Sequence, residues 1–589
     1  MGYEYALVHI KYTIPPAVAL TLCYKPLLTN LGVYKILFLI AIAVVSTTPW
    51  DSYLIHTRIW TYPPNVIVGP TLFRIPAEEV FFFVIQTYNT CLLYLLLSKP
   101  TFHSVYLRGE RLLNDGKRLR LWRWIGIITI VACIAAGVRM IVKGQEGLYM
   151  GLILVWAGPF VLLLWTLAYQ LIMELPLSNT LIPIILPTVY LWIVDTLALK
   201  RGTWVIESGT KLGWHLWDGL EIEEAVFFLV TNVLIVLGLI AFDSAIAILH
   251  TFPDLFPTVP ALPSPILLVR ALLIPAAAYS DERIRGLQQA LTRLRAKSRS
   301  FYLASGVFQG RLRLDLILLY SFCRVADDLV DEVESVEEAR RWLVKLNEYL
   351  DICYGRHNKI KPQYVSDFIS SSFPPSAQAT LEMLPTTYLS PEPLYDLLKG
   401  FETDLHFSSV ENPFPMKDEE TLQIYGARVA GTVAEACLEL VFHHTRNVVP
   451  ETQKKRIVHS GGRMGIALQY INIARDVSVD ASNRRVYFPT TWLKENNLEP
   501  ESIIQDPASK KAEDLRQRLL DSAFAIYEEA KGAIEELPLE ARGPMRVAVE
   551  SYVEIGRVLR EPGYRVKAGR ATVPKLRRLR VAYHALSKA

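Results

Sequence analysis

The sequence predicts an all-α protein in two parts, a polytopic helical membrane domain followed by a helical domain outside the membrane. The composition is 51% hydrophobic and only 20% charged, and the mean hydropathy of +0.24 is high for a soluble protein. Residues 1–250 contain seven apolar stretches, whereas the later sequence has helical periodicity without alternating strands. We therefore predict a membrane domain at 1–250, a proline-rich linker at 251–284 and a helical domain at 285–589.

The seven apolar stretches each approach the length of about 20 residues that a helix needs to cross a bilayer. The predicted spans are 4–23, 31–49, 79–97, 124–142, 147–171, 179–199 and 224–249. The loop at 98–123 is strongly basic, so the positive-inside rule places it in the cytosol. Four spans separate this loop from residue 250, and the C-terminal domain is therefore expected on the same, cytosolic face.

The membrane half contains an internal repeat. The segment Ile75–Val84 matches Leu220–Leu229 at an offset of 145 residues. In both copies an aspartate precedes a tryptophan by nine residues, at Asp51–Trp60 and at Asp195–Trp204. Spans one to three thus correspond to spans five to seven, which predicts a tandem three-helix repeat of two parallel halves related by a pseudo-twofold axis along the membrane normal.

Each copy of the repeat carries a pair of glutamates at the entry to a span, before a Phe-rich run. The pairs are Glu78–Glu79 and Glu223–Glu224. A carboxyl group kept protonated by apolar surroundings can act as a general acid at neutral pH, so all four glutamates are candidate catalytic residues. The alternative is that they only anchor the helix ends at the membrane interface.

Two acidic clusters mark the C-terminal half. Residues four apart share a helix face, and carboxylates that face an apolar interior repel one another unless a cation compensates them. The candidate metal ligands are Asp327, Asp328, Asp331, Asn472, Asp476 and Asp480. Their oxygen donors predict Mg²⁺, with Mn²⁺ as an alternative. A solvated helix face would explain one such cluster, but both clusters lie in apolar windows and each includes an arginine.

These clusters resemble the two aspartate-rich motifs of the head-to-head prenyl transferases, the phytoene and squalene synthases. The segments Ser298–Tyr302, Tyr425–Gly431 and Arg485–Pro489 match the family in the same order, and the resemblance covers roughly residues 285 to 580. It implies an all-helical isoprenoid synthase fold. It also implies that two geranylgeranyl diphosphates are joined to phytoene through prephytoene diphosphate, a cyclopropyl intermediate. A squalene-type enzyme, which reduces that intermediate with NADPH, is the alternative.

Arginines and hydroxyl groups near the two motifs are suited to binding a diphosphate. The candidate substrate-binding residues are Ser298, Arg299, Ser300, Arg324, Gln469, Arg475 and Arg485, with Arg484 as an alternative to Arg485. Three tyrosines, Tyr320, Tyr425 and Tyr487, are catalytic candidates that steer the carbocation or relay protons, or else they are core residues. The small residues of 426–431 leave room either for an isoprenoid tail or for close helix packing.

The membrane half resembles the membrane lycopene cyclases of the two-part type, which are separate subunits in some bacteria and fused in fungi. The two Glu-Glu runs and the paired Asp–Trp segments carry this resemblance. It implies that lycopene is cyclised to β-carotene through γ-carotene after protonation of an alkene. Nearby aromatic residues would stabilise the cation, among them Trp60, Phe82, Trp204 and Phe227. No flavin or nicotinamide fingerprint is found.

The two halves together resemble the fungal fused enzymes of carotenoid biosynthesis. The implied partners are geranylgeranyl diphosphate, lycopene, γ-carotene, a lipid membrane and a phytoene desaturase that acts between the two activities. The net charge of +4 is too small to indicate nucleic acid. A squalene-type coupling enzyme on a non-catalytic membrane anchor is the alternative for the whole chain.

Overall fold

The computed structural model divides into two compact units, residues 1–284 and 285–589. The structure describes residues 2–109, 117–333, 335–355, 362–408, 413–445, 449–564, 566 and 573–588. Three charged residues of the predicted cytosolic loop, Glu110, Arg111 and Asp115, lie outside the described residues.

Within its described residues, the first unit contains seven helices that are long and apolar enough to cross a membrane. They are α1 (Glu4–Leu27), α2 (Asn30–His56), α3 (Ala77–Ser98), α4 (Lys117–Lys143), α5 (Leu148–Glu174), α6 (Leu177–Arg201) and α7 (Ile222–Thr251). Each contains one predicted span, except that Gly147 of the fifth span belongs to a short 3₁₀ turn just before α5, and the helices extend further at most of their ends. Ile128 and Val142 of α4 are 65% and 83% exposed, as residues that face lipid would be.

Short strands lie in the loop before α3 and in the equivalent loop before α7. They are β1 (Trp60–Thr61), β2 (Thr71–Leu72), β3 (Ile75–Pro76), β4 (Val205–Ile206), β5 (His215–Trp217) and β6 (Leu220–Glu221). Hairpin β2–β3 precedes α3, and hairpin β5–β6 precedes α7. Strands β1 and β4 come from equivalent positions and pair with one another, antiparallel. Gln86 of α3 donates to Thr231 of α7, its counterpart 145 residues later, at 2.9 Å. These pairings are what a two-fold relation between the halves predicts.

Residues 251–284 pack as part of the first unit. The segment contains α8 (Pro265–Leu272) and the start of α9 (Asp281–Lys297). Leu268 and Ala271 of α8 are buried in one cluster with Phe252 and Ile284. The Ser264 hydroxyl begins α8 by accepting the Leu267 amide at 3.3 Å, as N-cap serines do.

The second unit contains helices and, within its described residues, no strand. Its helices are α10 (Arg299–Ser305), α11 (Gly310–Asp331), α12 (Val336–Cys353), α13 (Pro362–Ser372), α14 (Pro375–Glu382), α15 (Pro391–Leu405), α16 (Glu419–Gly426), α17 (Thr432–His444), α18 (Glu451–Ser482), α19 (Thr490–Glu495), α20 (Pro500–Gln505), α21 (Lys510–Ala530), α22 (Leu539–Leu559) and α23 (Lys575–Ser587). A π-helical turn, Ala427–Gly431, joins α16 to α17. The two acidic clusters lie near the C-terminal ends of α11 and α18.

The small residues of the π-helical turn lie against α18. A Cβ atom added at Gly465 of α18 would come within 2.5 Å of the Ala430 carbonyl oxygen. The two backbones therefore approach more closely than any side chain at position 465 permits. Close helix packing explains Gly465, while Val429 and Ala430 also line the cavity described next.

Candidate functional sites

A cavity of about 710 Å³ in the second unit brings the two acidic clusters together. It is lined by thirteen of the predicted site residues of this unit: Ser298, Arg299, Ser300, Tyr320, Arg324, Asp327, Tyr425, Gln469, Asn472, Arg475, Asp476, Asp480 and Tyr487. Much of the remaining lining is apolar, with Phe301, Leu397, Phe401, Val433 and Ile473. The other three predicted residues, Asp328, Asp331 and Arg485, are outside this lining.

The first acidic cluster is held by basic side chains. Arg324 Nη1 lies 2.6 Å from Asp327 Oδ2, and the same guanidinium also pairs with Asp328. Asp328 has a second contact with Lys297, at 3.3 Å. Burial raises the pKa of Asp327 to about 6, although Arg324 acts in the opposite direction. This carboxyl group is therefore costly to keep charged without a further cation nearby.

A salt bridge between Asp331 and Arg485 connects the first acidic cluster to the segment that follows the second cluster. Arg485 donates to the two carboxylate oxygens of Asp331 at 3.0 and 3.3 Å. Arg484 is exposed and has a positive φ of 57°. Of the two alternatives left by the sequence, Arg485 is the one that contacts the acidic cluster.

The second cluster has a similar arrangement on α18. Arg475 donates to both oxygens of the adjacent Asp476 at 2.7 Å. The Asn472 amide nitrogen donates to Gln469 at 3.1 Å, and its oxygen accepts from the Tyr552 hydroxyl. Tyr552 comes from α22, lines the cavity and stacks on Phe301 with ring centroids 5.2 Å apart. Sequence reasoning missed Tyr552, because no local pattern marks it.

Asp404 is a further acid in this cavity, to which the sequence assigned no role. Its two oxygens accept from the hydroxyls of Tyr425 at 3.1 Å and Tyr487 at 2.9 Å. Burial raises the pKa of Asp404 to about 7, with Arg485 acting in the opposite direction. The sequence signals were its position on the apolar face of α15, one turn after Phe401, and the resemblance of the run 394–405 to a further family segment, which assigned no chemical role. Two predicted catalytic tyrosines are thus joined through one buried carboxyl group.

Both predicted serines already form hydrogen bonds with backbone groups. The Ser300 hydroxyl donates to the Ser551 carbonyl at 3.2 Å, and the Ser298 hydroxyl accepts the Phe301 amide as the N-cap of α10.

Within the described ranges, no three acidic, histidine or cysteine side chains form a ready metal-binding group. The donors nevertheless suit Mg²⁺, because acids of both helices face one cavity and supply only oxygen atoms.

In the membrane unit, the two glutamates of each pair have different environments. Glu78 Oε1 accepts the Val68 amide at 2.7 Å, and Glu223 Oε1 accepts the Leu212 amide at 2.7 Å. These contacts are equivalent in the two copies. Both hold the loop that precedes the helix, as a carboxylate in the first turn can do. Glu78 and Glu223 are therefore each bonded to the loop in front of their own helix.

Glu79 and Glu224 instead point into a buried aromatic core. Glu79 accepts from the hydroxyls of Tyr5 and, at 2.9 Å, Tyr62, and Glu224 accepts from Tyr149 at 2.7 Å. Tyr5 and Tyr149 are 144 residues apart and occupy equivalent helices of the repeat. The sequence analysis missed these tyrosines, because they become neighbours of the glutamates only when α1 packs on α3 and α5 on α7.

Two aspartates complete this core. Asp51 and Asp195 are 2% and 1% exposed, and Asp195 accepts from the Trp204 indole at 3.1 Å. Within the described chain, Asp51 Oδ2, Asp195 Oδ2 and Glu224 Oε2 are buried without a hydrogen-bond partner, and so are the second oxygens of Glu78 and Glu223. The predicted aromatic residues Trp60, Phe82, Trp204 and Phe227 lie in the same cluster. Sequence reasoning used both aspartates as markers of the repeat and of the family resemblance, and gave them no chemical role.

Comparisons with known proteins cover both units of the chain. The family model for squalene/phytoene synthase matches residues 294–577. A bifunctional lycopene cyclase/phytoene synthase of Leptosphaeria maculans is 58% identical over all of both chains, and that of Neurospora crassa is 48% identical over 99% of both. A crystal structure of a dehydrosqualene synthase covers 51% of this chain and 96% of its own, at 21% identity and a TM-score of 0.41. Because similarity at 58% identity extends over the whole chain, this protein belongs to the family of bifunctional lycopene cyclase/phytoene synthases.

Proposed function

We propose that the second unit condenses two geranylgeranyl diphosphates to phytoene and that the first unit cyclises lycopene to β-carotene through γ-carotene. The observation that carries the first activity is that acids of both clusters line one cavity, together with many apolar residues. The buried Tyr–Glu pairs, present once in each repeat, support the second. Ring closure by this route is an isomerisation, so it needs a proton donor and acceptor but no redox cofactor.

In the condensation, the charged part of the cavity binds and orients the diphosphates. Arg299, Arg324 and Arg475 line it and can donate charge-assisted hydrogen bonds to phosphate oxygens. The residues that would hold Mg²⁺ are Asp327, Asp328, Asp331, Asn472, Asp476 and Asp480. When bound, this ion supplies positive charge that stabilises the departing diphosphate. The apolar lining keeps water from the carbocation that remains.

The Tyr425–Asp404–Tyr487 network serves proton transfer beside the same cavity. A carboxyl group with a pKa of about 7 exchanges a proton readily at neutral pH. Both tyrosine hydroxyls contact it and line the cavity. We propose that Asp404 accepts the proton lost when the cyclopropyl intermediate rearranges to phytoene.

In the cyclisation, Glu79 and Glu224 are the proposed acids, and Glu78 and Glu223 hold the loops in front of them. A protonated carboxyl group transfers its proton to the terminal alkene of lycopene, and ring closure follows. The stacked rings of Trp50 and Phe227, with centroids 5.5 Å apart, belong to the aromatic core that would stabilise the cation. Loss of a ring proton to a carboxylate then restores the acid.

The orientation of the chain in the membrane is part of the proposal. The basic loop at 98–123 would be cytosolic, as would the end of α7 at Thr251 and the synthase unit that follows. Helix α7 has 30 residues, which corresponds to about 45 Å. Because the acids stand at the starts of α3 and α7, the cyclase site would lie toward the membrane face opposite to the cytosol.

Expression in bacteria tests both activities. We expect phytoene in a strain that makes geranylgeranyl diphosphate and β-carotene in a strain that makes lycopene, each identified by chromatography. A squalene-type reduced product that appears only with NADPH would contradict the phytoene assignment. Unchanged lycopene, in a strain where the same chain forms phytoene, would leave the first unit as a membrane anchor.

A further inference from the structure

The C-terminal helix α23 has one packed face and one exposed face. Ala582 and Ala585 are buried in a cluster with Val547 of α22. On the other side, Leu576, Leu579 and Tyr583 are 80%, 43% and 42% exposed. Their spacings of three and four residues place them on one stripe of the helix. Large apolar side chains arranged in this way are unfavourable in water unless something covers them.

The charge of α23 indicates what covers the stripe. Residues 575–588 include five lysines and arginines and no acidic residue. Lys575, Arg580 and Lys588 are exposed, whereas Arg577 is bound to Glu554 and Glu561 within the unit. An apolar stripe bordered by basic residues is the pattern of helices that lie on anionic membrane surfaces.

We propose that α23 docks on the surface of an anionic lipid bilayer. Leu576, Leu579 and Tyr583 enter the boundary between headgroups and acyl chains, and the exposed basic side chains contact lipid phosphates. A bilayer is the favoured occupant because the surface combines apolar groups with charge of one sign only. In addition, the seven apolar helices of the first unit tether the chain to a membrane.

Docking places lipid next to the synthase cavity. Arg578 of α23 and Val573, just before the helix, both line that cavity. Helix α23 would then lie between the cavity and the bilayer. A hydrocarbon product would pass from the cavity to the lipid without crossing water. This consequence rests on the proposed condensation, whereas the docking itself does not.

Site-specific photo-crosslinking of the full chain tests the docking. A benzophenone amino acid replaces Leu576, and a control chain carries it at Val344 of α12, which is 66% exposed on the same unit. Both chains are reconstituted into vesicles of phosphatidylcholine with phosphatidylserine and irradiated. We expect a lipid adduct at position 576 and none at position 344. Equal elution of both chains from size-exclusion chromatography in detergent confirms that they fold.

The charge contribution is tested with a K575Q/R580Q double variant that carries the probe at position 576. Two basic groups near an anionic surface are expected to change the docking equilibrium roughly thirtyfold, so the lipid adduct should fall in anionic vesicles. An adduct with a peptide of residues 1–284 or with a second copy of the chain would overturn the proposal, as would no adduct at position 576. Because crosslinking needs no turnover, a chain that fails to make phytoene could still show the lipid adduct.

Discussion

Replacing each glutamate of a pair by glutamine separates the proposed acid from its neighbour. Glutamine has the same length as glutamate, and its carbonyl can still accept one tyrosine hydroxyl at position 79 or the Val68 amide at position 78. What the substitution removes is the transferable proton. We therefore expect Glu79→Gln to lower the cyclisation rate by roughly 10²–10⁴-fold, the usual contribution of a general acid.

Glu78→Gln is the matched control. It weakens one hydrogen bond to a backbone amide, which corresponds to about 1 kcal/mol and a rate effect of less than about tenfold. The chain also contains its own reference, because phytoene formation by the second unit reports how much folded protein is present. The assay is the ratio of β-carotene formed from lycopene to phytoene formed by the same membranes. Loss of cyclisation in Glu78→Gln with full activity in Glu79→Gln would refute the assignment.

Four further results are expected. Asp404 has a pKa of about 7, above its usual 3.8, so its ionisation lowers the free energy of unfolding as pH rises between these values, by about 4 kcal/mol in total. Asp404→Asn should therefore flatten the dependence of Tm on pH over this range. Equal slopes in the variant and the parent chain would contradict the raised pKa. Arg485→Ala should slow phytoene formation about tenfold or more, because a carboxylate loses its partner, while Arg484→Ala has little effect; equal losses would be inconsistent with the contact. Chelation of divalent ions should stop phytoene formation, with recovery on adding Mg²⁺, and leave cyclisation unchanged; phytoene formation that persists in chelator would exclude the metal site. Gly465→Ala should lower Tm, because the added Cβ atom would lie 2.5 Å from the Ala430 carbonyl oxygen, a clash that costs about 1–3 kcal/mol. Gly532→Ala is the control, because a Cβ atom there meets open space. Similar Tm values for the two variants would count against close packing at Gly465.

Most of the fold could be predicted because apolar length and periodicity are local properties of the sequence. All seven spans lie within observed helices, and the repeat could be found from two matching segments. The ends of the helices were predicted less accurately. Helix α4 begins at Lys117, seven residues before the predicted span, because basic residues at a membrane interface do not end a helix.

The grouping of the acids in the second unit could be predicted for the same reason. Spacings of four residues place acids on one face of α11 and of α18, and Asp327 of α11 lines the same cavity as Asp476 and Asp480 of α18. Asp404 received no role because its partners, Tyr425 and Tyr487, belong to segments distant in the sequence. Contacts of this kind depend on tertiary packing, which no local pattern encodes.

The glutamate pairs show a similar limit at closer range. Neighbouring residues on a helix point about 100° apart, so the two glutamates of a pair meet different surroundings. The sequence does not tell which residue takes which direction. The choice follows from the positions of Tyr5 and Tyr149, which the repeat sets on equivalent helices.

The two acids belong to one aromatic core, and this limits how a long polyene can react. Phe82 and Phe228, one turn beyond Glu79 and Glu224, have ring centroids 5.9 Å apart, and both lie in the cluster that surrounds the acids. The two ends of extended lycopene cannot occupy one such core together, so we infer that its rings close one after the other at a shared site. A shared site predicts that Glu79→Gln and Glu224→Gln both accumulate lycopene. If γ-carotene accumulated in either variant instead, each acid would serve a ring of its own.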